Sequence, residues 1–137
     1  MKNILLTLTL ILMAGCASNQ PNSSNYDIRK VAQAAGKSLE AAHKATEFQF
    51  YNIPPGKKAE PTAILAFMRE CHLSKTAGAI GSDTIDGLFD VLQLAISESK
   101  DEKFDGLILI IVGPKKDSER FDSLLLPRGI KPAYAVY

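Results

Sequence analysis

Cysteine and histidine are the residue types in this chain that could carry nucleophilic or metal chemistry. The sequence contains two cysteines, Cys16 and Cys71, and two histidines, His43 and His72. Cys71 and His72 are adjacent, so on a helix their side chains diverge by about 100° and cannot easily share a metal ion. No further Cys or His lies at the spacing of a zinc site. We therefore expect no metal, no cofactor and no catalytic residue, and we interpret the protein as a non-enzyme.

Cys71 is the thiol whose role the sequence leaves open. It falls on the apolar series Ile64, Phe67, Met68 and Cys71, at positions i, i+3, i+4 and i+7 of a helix. That position favours a small buried side chain. Two alternatives remain, namely a free thiol that pairs between chains and a reactive thiol that uses His43 as its base.

Cys16 follows a segment with the three parts of an export signal. Lys2 supplies the positive start, residues 4–13 form an apolar run broken by two threonines, and small residues lead up to Cys16. As a helix the apolar run is about 15 Å long, against a hydrocarbon core of about 30 Å. It is short for a permanent span, and we expect residues 1–15 to be removed as a signal peptide.

The stretch Leu12-Met13-Ala14-Gly15-Cys16 resembles the lipobox of bacterial lipoproteins. The usual form is Leu-(Ala/Ser)-(Gly/Ala)-Cys, so Ala14, Gly15 and Cys16 match, and Met13 stands where Leu is preferred. The resemblance implies cleavage between Gly15 and Cys16, diacylglycerol on the Cys16 sulfur and acylation of the new amino group. Two or three chains on one residue form a stable anchor, because each buried methylene contributes about 0.8 kcal/mol.

Residues 16–26 are interpreted as the lipidated cysteine and a flexible tether. Nine of the ten residues after Cys16 are small, polar or proline, so the segment cannot bury enough surface to fold. Ala17 and Ser18 stand where inner-membrane lipoproteins of diderm bacteria carry an aspartate. Without that aspartate, the chain is similar to lipoproteins that are passed on to the outer membrane. This similarity indicates an outer-membrane location, with the domain facing the periplasm. The alternative location is the outer face of the cytoplasmic membrane.

Length and composition indicate one globular domain over residues 27–137, and the resemblance to lipoproteins implies that it is periplasmic. The sequence holds 16 Lys and Arg against 15 Asp and Glu. Nucleic-acid binders normally show a basic excess, so we expect no nucleic-acid partner. We expect no small-molecule ligand either, and we expect another envelope protein as the partner.

Hydrophobic periodicity predicts an α/β fold with a small three-stranded sheet and helices packed against it. Residues 48–53 alternate and stop at Pro-Pro-Gly, whereas residues 107–112 are continuously apolar and indicate a strand buried on both faces. With a strand at 133–137, residues 106–137 read as a C-terminal βαβ unit. The two glycines in residues 73–82 predict a loop. If 48–53 is not a strand, the alternative is a mostly helical domain with the C-terminal βαβ unit.

Helix-start signals precede four periodic segments. We expect the first helix to be capped by Ser24 or Asn25, to have Asp27 in its first turn and to end near Thr46. We expect the second helix to begin at Pro61. The third is expected to be capped by Ser82 or Asp83, and the fourth by Asp117.

Three further features could bind ligands, but each has a plainer interpretation. Residues 113–118, Gly-Pro-Lys-Lys-Asp-Ser, join a strand to a helix where anions can bind, yet they lack the order of a phosphate loop. We interpret them as a solvated turn, and the segment Thr76–Asp83 as a connector. Asp83, Asp86 and Asp90 share one helix face and could suggest a cation site, but we interpret them as a solvated face.

An anchor, a tether and a compact domain without reactive residues favour a non-enzymatic interaction protein. Such a protein would serve as an accessory subunit of an envelope assembly, in secretion, conjugation or outer-membrane machinery. The alternative is a ligand-binding or inhibitory lipoprotein that protects the envelope, which a concave apolar pocket with convergent polar groups would favour.

The lipid anchor makes a direct prediction about the mature chain. Mass spectrometry of the protein from its host should find Cys16 as the first residue, carrying diacylglycerol and an acylated amino group. A chain intact from Met1, or an unacylated protein free in the culture fluid, would contradict the anchor.

Overall fold

A computed structural model of the chain describes residues 26–137. The signal peptide, Cys16 and the tether up to residue 25 lie outside the described residues. The elements are α1 (Ile28–His43), β1 (Phe48–Asn52), α2 (Pro61–Ser74), β2 (Ala77–Gly81), α3 (Ile85–Glu98), β3 (Ile108–Gly113), α4 (Ser118–Leu125), a short 3₁₀ turn (Leu126–Arg128) and β4 (Lys131–Val136). Within this range no helix combines the length and apolarity that a membrane crossing requires.

The four strands form one parallel sheet in the order β1-β2-β3-β4. Each strand pairs with the next one in the chain, so the three crossovers all run in the same direction across the sheet. Crossovers of one handedness then place their helices on the same face. Accordingly α2, α3 and α4 pack on one face, together with Ile80, Leu109 and Ile111 of the sheet. Helix α1 covers the opposite face, over Ala79 and Ile110.

The predicted α/β class is confirmed, but the three-stranded sheet is wrong, because the sheet has four strands. The missed strand is β2, which occupies half of the predicted loop 73–82, and the end of α2 occupies its first two residues. Its glycines were read as loop signals, yet they allow close packing. A Cβ on Gly78 would lie 3.0 Å from the Cys71 sulfur, and one on Gly81 would lie 2.5 Å from a methyl carbon of Val31. Small residues therefore let helices approach β2 from both faces.

The other strand predictions agree with the structure to within a few residues. Strand β1 covers Phe48–Asn52, and β3 is buried along almost its whole length, as its continuous apolar sequence predicts. The C-terminal βαβ unit is present as β3, α4 and β4, with β3 and β4 parallel. The mostly helical alternative is therefore wrong.

Two helix caps differ from the expected ones. Asp27 is itself the N-cap of α1, and its carboxylate accepts the Arg29 N–H at 2.9 Å, whereas Ser24 and Asn25 lie outside the described residues. Thr84 is the N-cap residue of α3, one position after Asp83, and the Ser82 hydroxyl accepts the Thr84 N–H at 3.2 Å. Ser82 thus closes the turn that leads into α3.

Close packing at β2 predicts opposite effects for two glycine substitutions. Gly81→Ala should destabilise the fold by about 1–3 kcal/mol, because its new methyl group meets Val31 and the Phe50 ring. Gly36→Ala should stabilise it by about 1 kcal/mol, because Gly36 lies inside α1 and an added Cβ meets only an ordinary 3.6 Å contact. Urea denaturation of the two variants checks this. Equal effects would contradict the packing of α1 on β2.

Candidate functional site

The carboxyl ends of all four strands meet at one edge of the sheet, where parallel α/β folds usually place their sites. Two tyrosines dominate this edge. Tyr26 donates its hydroxyl to Asn52 Oδ1 and packs edge-on against Tyr137, with the ring centroids 5.4 Å apart. Tyr137 in turn donates to the backbone oxygen of Ser82 at 3.3 Å. These contacts tie the start of α1 to the ends of β1 and β2.

The phenols of Tyr26 and Tyr137 do not ionise at neutral pH, so neither can act there as a phenolate base. Burial raises the pKa of Tyr26, and the nearby phenol of Tyr137 and carboxylate of Asp83 raise it further. Burial and Asp83 also raise the pKa of Tyr137. Both hydroxyls therefore stay protonated at neutral pH and act as hydrogen-bond donors that hold the edge together.

Cys71 lies on the buried side of α2, where it faces Gly78 of β2, and 0% of its surface is exposed. Burial, helped by the charge of Glu70, raises the pKa of its thiol to about 11. The thiolate is the reactive form, so a thiol in this state is a weak nucleophile. Pairing between chains and reactivity both need an exposed sulfur, which this position does not provide.

The histidines do not assemble a site with this thiol. His43 ends α1 on one face of the sheet, whereas Cys71 lies on α2 on the other face. His72 points away from Cys71 and approaches the backbone oxygen of Asp105 at 3.2 Å, with its ring edge-on to Phe104. Among residues 26–137, no group of three or more His, Cys, Asp or Glu is placed to hold a metal ion.

An open groove of about 480 Å³ lies between α3 and α4, with Phe89 and Leu124 in its lining. Its main charged group is Arg120, whose guanidinium bonds Asp86 at 2.7 Å and Asp117 at 2.8 Å and lies 4.4 Å from the Phe89 ring centroid. Arg120 lowers the pKa of Asp86 chiefly by hydrogen bonding. These three charges satisfy one another, whereas Gln93, Glu119 and Ser123 are further polar residues of the lining. Sequence patterns gave no signal for this network, since Arg120 lies 34 residues from Asp86.

The remaining candidate residues from the sequence lie either on the protein surface or within strand β2. Lys115 and Lys116 are exposed in the turn after β3, and the Lys116 ammonium lies 5.9 Å from the Tyr134 ring centroid. The three aspartates do not share one helix face, because Asp83 precedes α3; Asp86 is exposed but bonded to Arg120, and Asp90 is exposed. The segment Thr76–Asp83 is mostly strand β2, buried at the middle of the sheet, so the connector interpretation is wrong for it.

The two outer edges of the sheet differ in how they are protected. On β4 the Lys131 N–H donates inward to the Leu107 oxygen at 2.7 Å, so the neighbouring Pro132 directs its nitrogen, which carries no hydrogen, outward. Proline in this position blunts an edge. On β1 the Ile53 N–H donates inward to the Gly81 oxygen, so by alternation the N–H of Asn52, and of every second residue before it, faces outward.

The outward backbone N–H groups of β1 belong to Phe48, Phe50 and Asn52. Within residues 26–137 no group accepts a hydrogen bond from them. We refer to the outer side of Phe48–Asn52 as the β1 edge. It is a regular, unprotected strand edge with half-buried aromatic side chains, and such edges can pair with another strand. The alternation of residues 48–53 predicts this strand but carries no signal that it lies at the outside of the sheet.

In comparisons with known proteins, no protein-family model, curated protein or solved structure matches the chain.

Burial of Cys71 predicts a pH dependence of stability. An unfolded thiol ionises near pH 9, whereas the folded thiol ionises near pH 11, so its contribution is complete below pH 9 and is lost as the pH rises towards 11. Between pH 9 and 10 the free energy of unfolding should fall by about 1 kcal/mol more in the parent chain than in Cys71→Ala. Urea denaturation at each pH measures this. Parallel pH profiles would contradict a buried neutral thiol.

Proposed function

We propose that this protein is a membrane-anchored lipoprotein of the bacterial envelope that acts as a non-enzymatic interaction module. Its partner supplies an extended segment that adds a strand to the β1 edge. The protein would thereby serve as an accessory subunit of an envelope assembly, on the periplasmic face of the outer membrane. The outer face of the cytoplasmic membrane is the alternative location.

The observation that carries this proposal is the open β1 edge. Added strands bind through main-chain hydrogen bonds, and each net hydrogen bond contributes about 0.5–1.5 kcal/mol. The outward donors of Phe48, Phe50 and Asn52 are spaced to match an incoming strand. Natural proteins usually protect such an edge, as Pro132 does on β4. An open strand edge in a sheet whose opposite edge is protected is expected where the open edge pairs with a partner strand.

The chemistry of the domain is consistent with a binding role. The thiol of Cys71 is buried and has a raised pKa, and the phenols of Tyr26 and Tyr137 stay protonated. The charge of Arg120 is paired with Asp86 and Asp117. The anchor rests on the resemblance of residues 12–16 to the lipobox. Tyr26 is bonded to Asn52 at the carboxyl end of β1, so the tether between Cys16 and this contact has nine residues, one fewer than predicted, and would place Tyr26 roughly 17 Å from Cys16 on average.

Asn52 offers a matched pair of variants for testing the edge. Asn52→Pro removes one outward N–H, whereas Asn52→Ala keeps that N–H and loses the same side-chain bond to Tyr26. Photo-crosslinking from Phe48 in living cells should yield a partner adduct with the parent chain and Asn52→Ala. Asn52→Pro should reduce the adduct about tenfold, the effect of about 1.4 kcal/mol.

Matched urea denaturation of the two variants controls for folding. An adduct that survives Asn52→Pro unchanged would show that partners bind elsewhere. Failure of the parent chain to yield any adduct, combined with turnover of a substrate, would overturn the interaction role.

A further inference from the structure

We propose that the β1 edge binds the β1 edge of a second copy of this chain. The two strands would run antiparallel about a two-fold axis beside Phe50, and the two sheets would join into one of eight strands. This inference rests on the proposed function, because it names the partner of the same edge.

The outward groups of β1 are arranged symmetrically. Phe48 and Asn52 lie at equal distances from Phe50 along the strand, and all three direct their N–H groups outward. In antiparallel sheets, opposed residues alternate between hydrogen-bonded and non-hydrogen-bonded pairs. Placing Phe50 opposite Phe50 of the second copy makes Phe48 face Asn52 as a second hydrogen-bonded pair. Every outward donor of both chains then meets a carbonyl oxygen.

The charges that flank the strand favour the same alignment. Glu47 is exposed just before β1, and Lys57 and Lys58 are exposed shortly after it. The Lys57 N–H donates to the Pro54 oxygen at 3.0 Å, and this turn holds Lys57 close to the end of the strand. An antiparallel pair brings Glu47 of each copy to the lysine side of the other, at both ends. A parallel pair would instead place like charges together.

The aromatic side chains add contact area at the axis. Phe48 and Phe50 are half-buried on the face covered by α1, which packs mainly over β3 and β4 and leaves β1 less covered. The two Phe50 rings would lie side by side across the new strand pair. Aromatic cross-strand pairs of this kind stabilise sheets.

The protected second edge limits the assembly to two copies. Pro132 leaves β4 without one of its outward donors, so β4 is poorly suited to continue the sheet. With one competent edge per chain, the contact uses the same surface on both copies and closes on itself. The expected product is a dimer and not a filament.

The register is tested by disulfide formation between two single variants, Gln49→Cys and Tyr51→Cys. In the proposed alignment Gln49 of one copy faces Tyr51 of the other as a non-hydrogen-bonded pair, with Cα atoms about 4.5 Å apart. That distance suits a disulfide. Two copies of Gln49 are diagonal neighbours about 7–8 Å apart, which exceeds the usual disulfide range.

The experiment uses differently tagged, acylated full-length mature chains in phosphatidylglycerol-containing vesicles under mild oxidation. The mixture of the two variants should give at least about tenfold more disulfide dimer than either variant alone, because only the mixture has the favourable pairing. Adding Asn52→Pro to both should abolish the dimer, and adding Asn52→Ala should leave it. Equal yields from single variants and mixture would overturn the register.

Sedimentation equilibrium of the mature chain with Cys16→Ser provides a test without new cysteines at the edge. The mass should rise towards that of two chains as the concentration approaches about 1 mM, and Asn52→Pro should keep it at one chain. A mass of one chain throughout, together with no disulfide on vesicles, would overturn the inference. If Asn52→Pro nevertheless removes an adduct with a different protein in cells, the proposed function stands and the second copy is excluded.

Discussion

The domain depends on the sequential parallel pairing of its four strands, β1 to β4. Because each crossover joins neighbouring strands in the same direction, α2, α3 and α4 are confined to one face of the sheet. The opposite face has α1 as its cover in the described chain. The same pairing puts the first and last strands of the chain at the outer edges. The layered core and the identity of the two edge strands both follow from this strand order.

Close contact at β2 makes such a narrow sandwich possible. The inner strand has alanine or glycine at four of its five positions, with Ile80 as its one large side chain. Helices on both faces therefore approach its backbone directly. Periodicity could predict the apolar strand β3 and the helix stripes, since those carry large side chains. It could not predict β2, because glycines that serve close packing have the same sequence signature as glycines that serve turns.

The candidate site was less accessible to sequence reasoning than the fold. The pattern of residues 48–53 predicted a strand, and the proline pair after it predicted where it stops. Whether a strand is outer or inner depends on the pairing order, which is a long-range property of the whole sheet. The Arg120 network was missed for the same reason, because its partners come from two helices. Cys71 was the easier case, since its place on an apolar stripe already favoured the core that the structure gives it.

In a single chain the outward N–H groups of the β1 edge have no acceptor within the described residues, and we propose that they pair with another strand. Amide hydrogen exchange of the mature chain with Cys16→Ser, followed residue by residue by NMR, tests this most directly. At dilution, Gln49, Tyr51 and Ile53 should be protected by β2, whereas Phe48, Phe50 and Asn52 should exchange rapidly; concentrating the protein should then protect the second set. Protection of all six amides at dilution would show that the chain covers its own edge, and a second set that never gains protection would show that the edge does not pair.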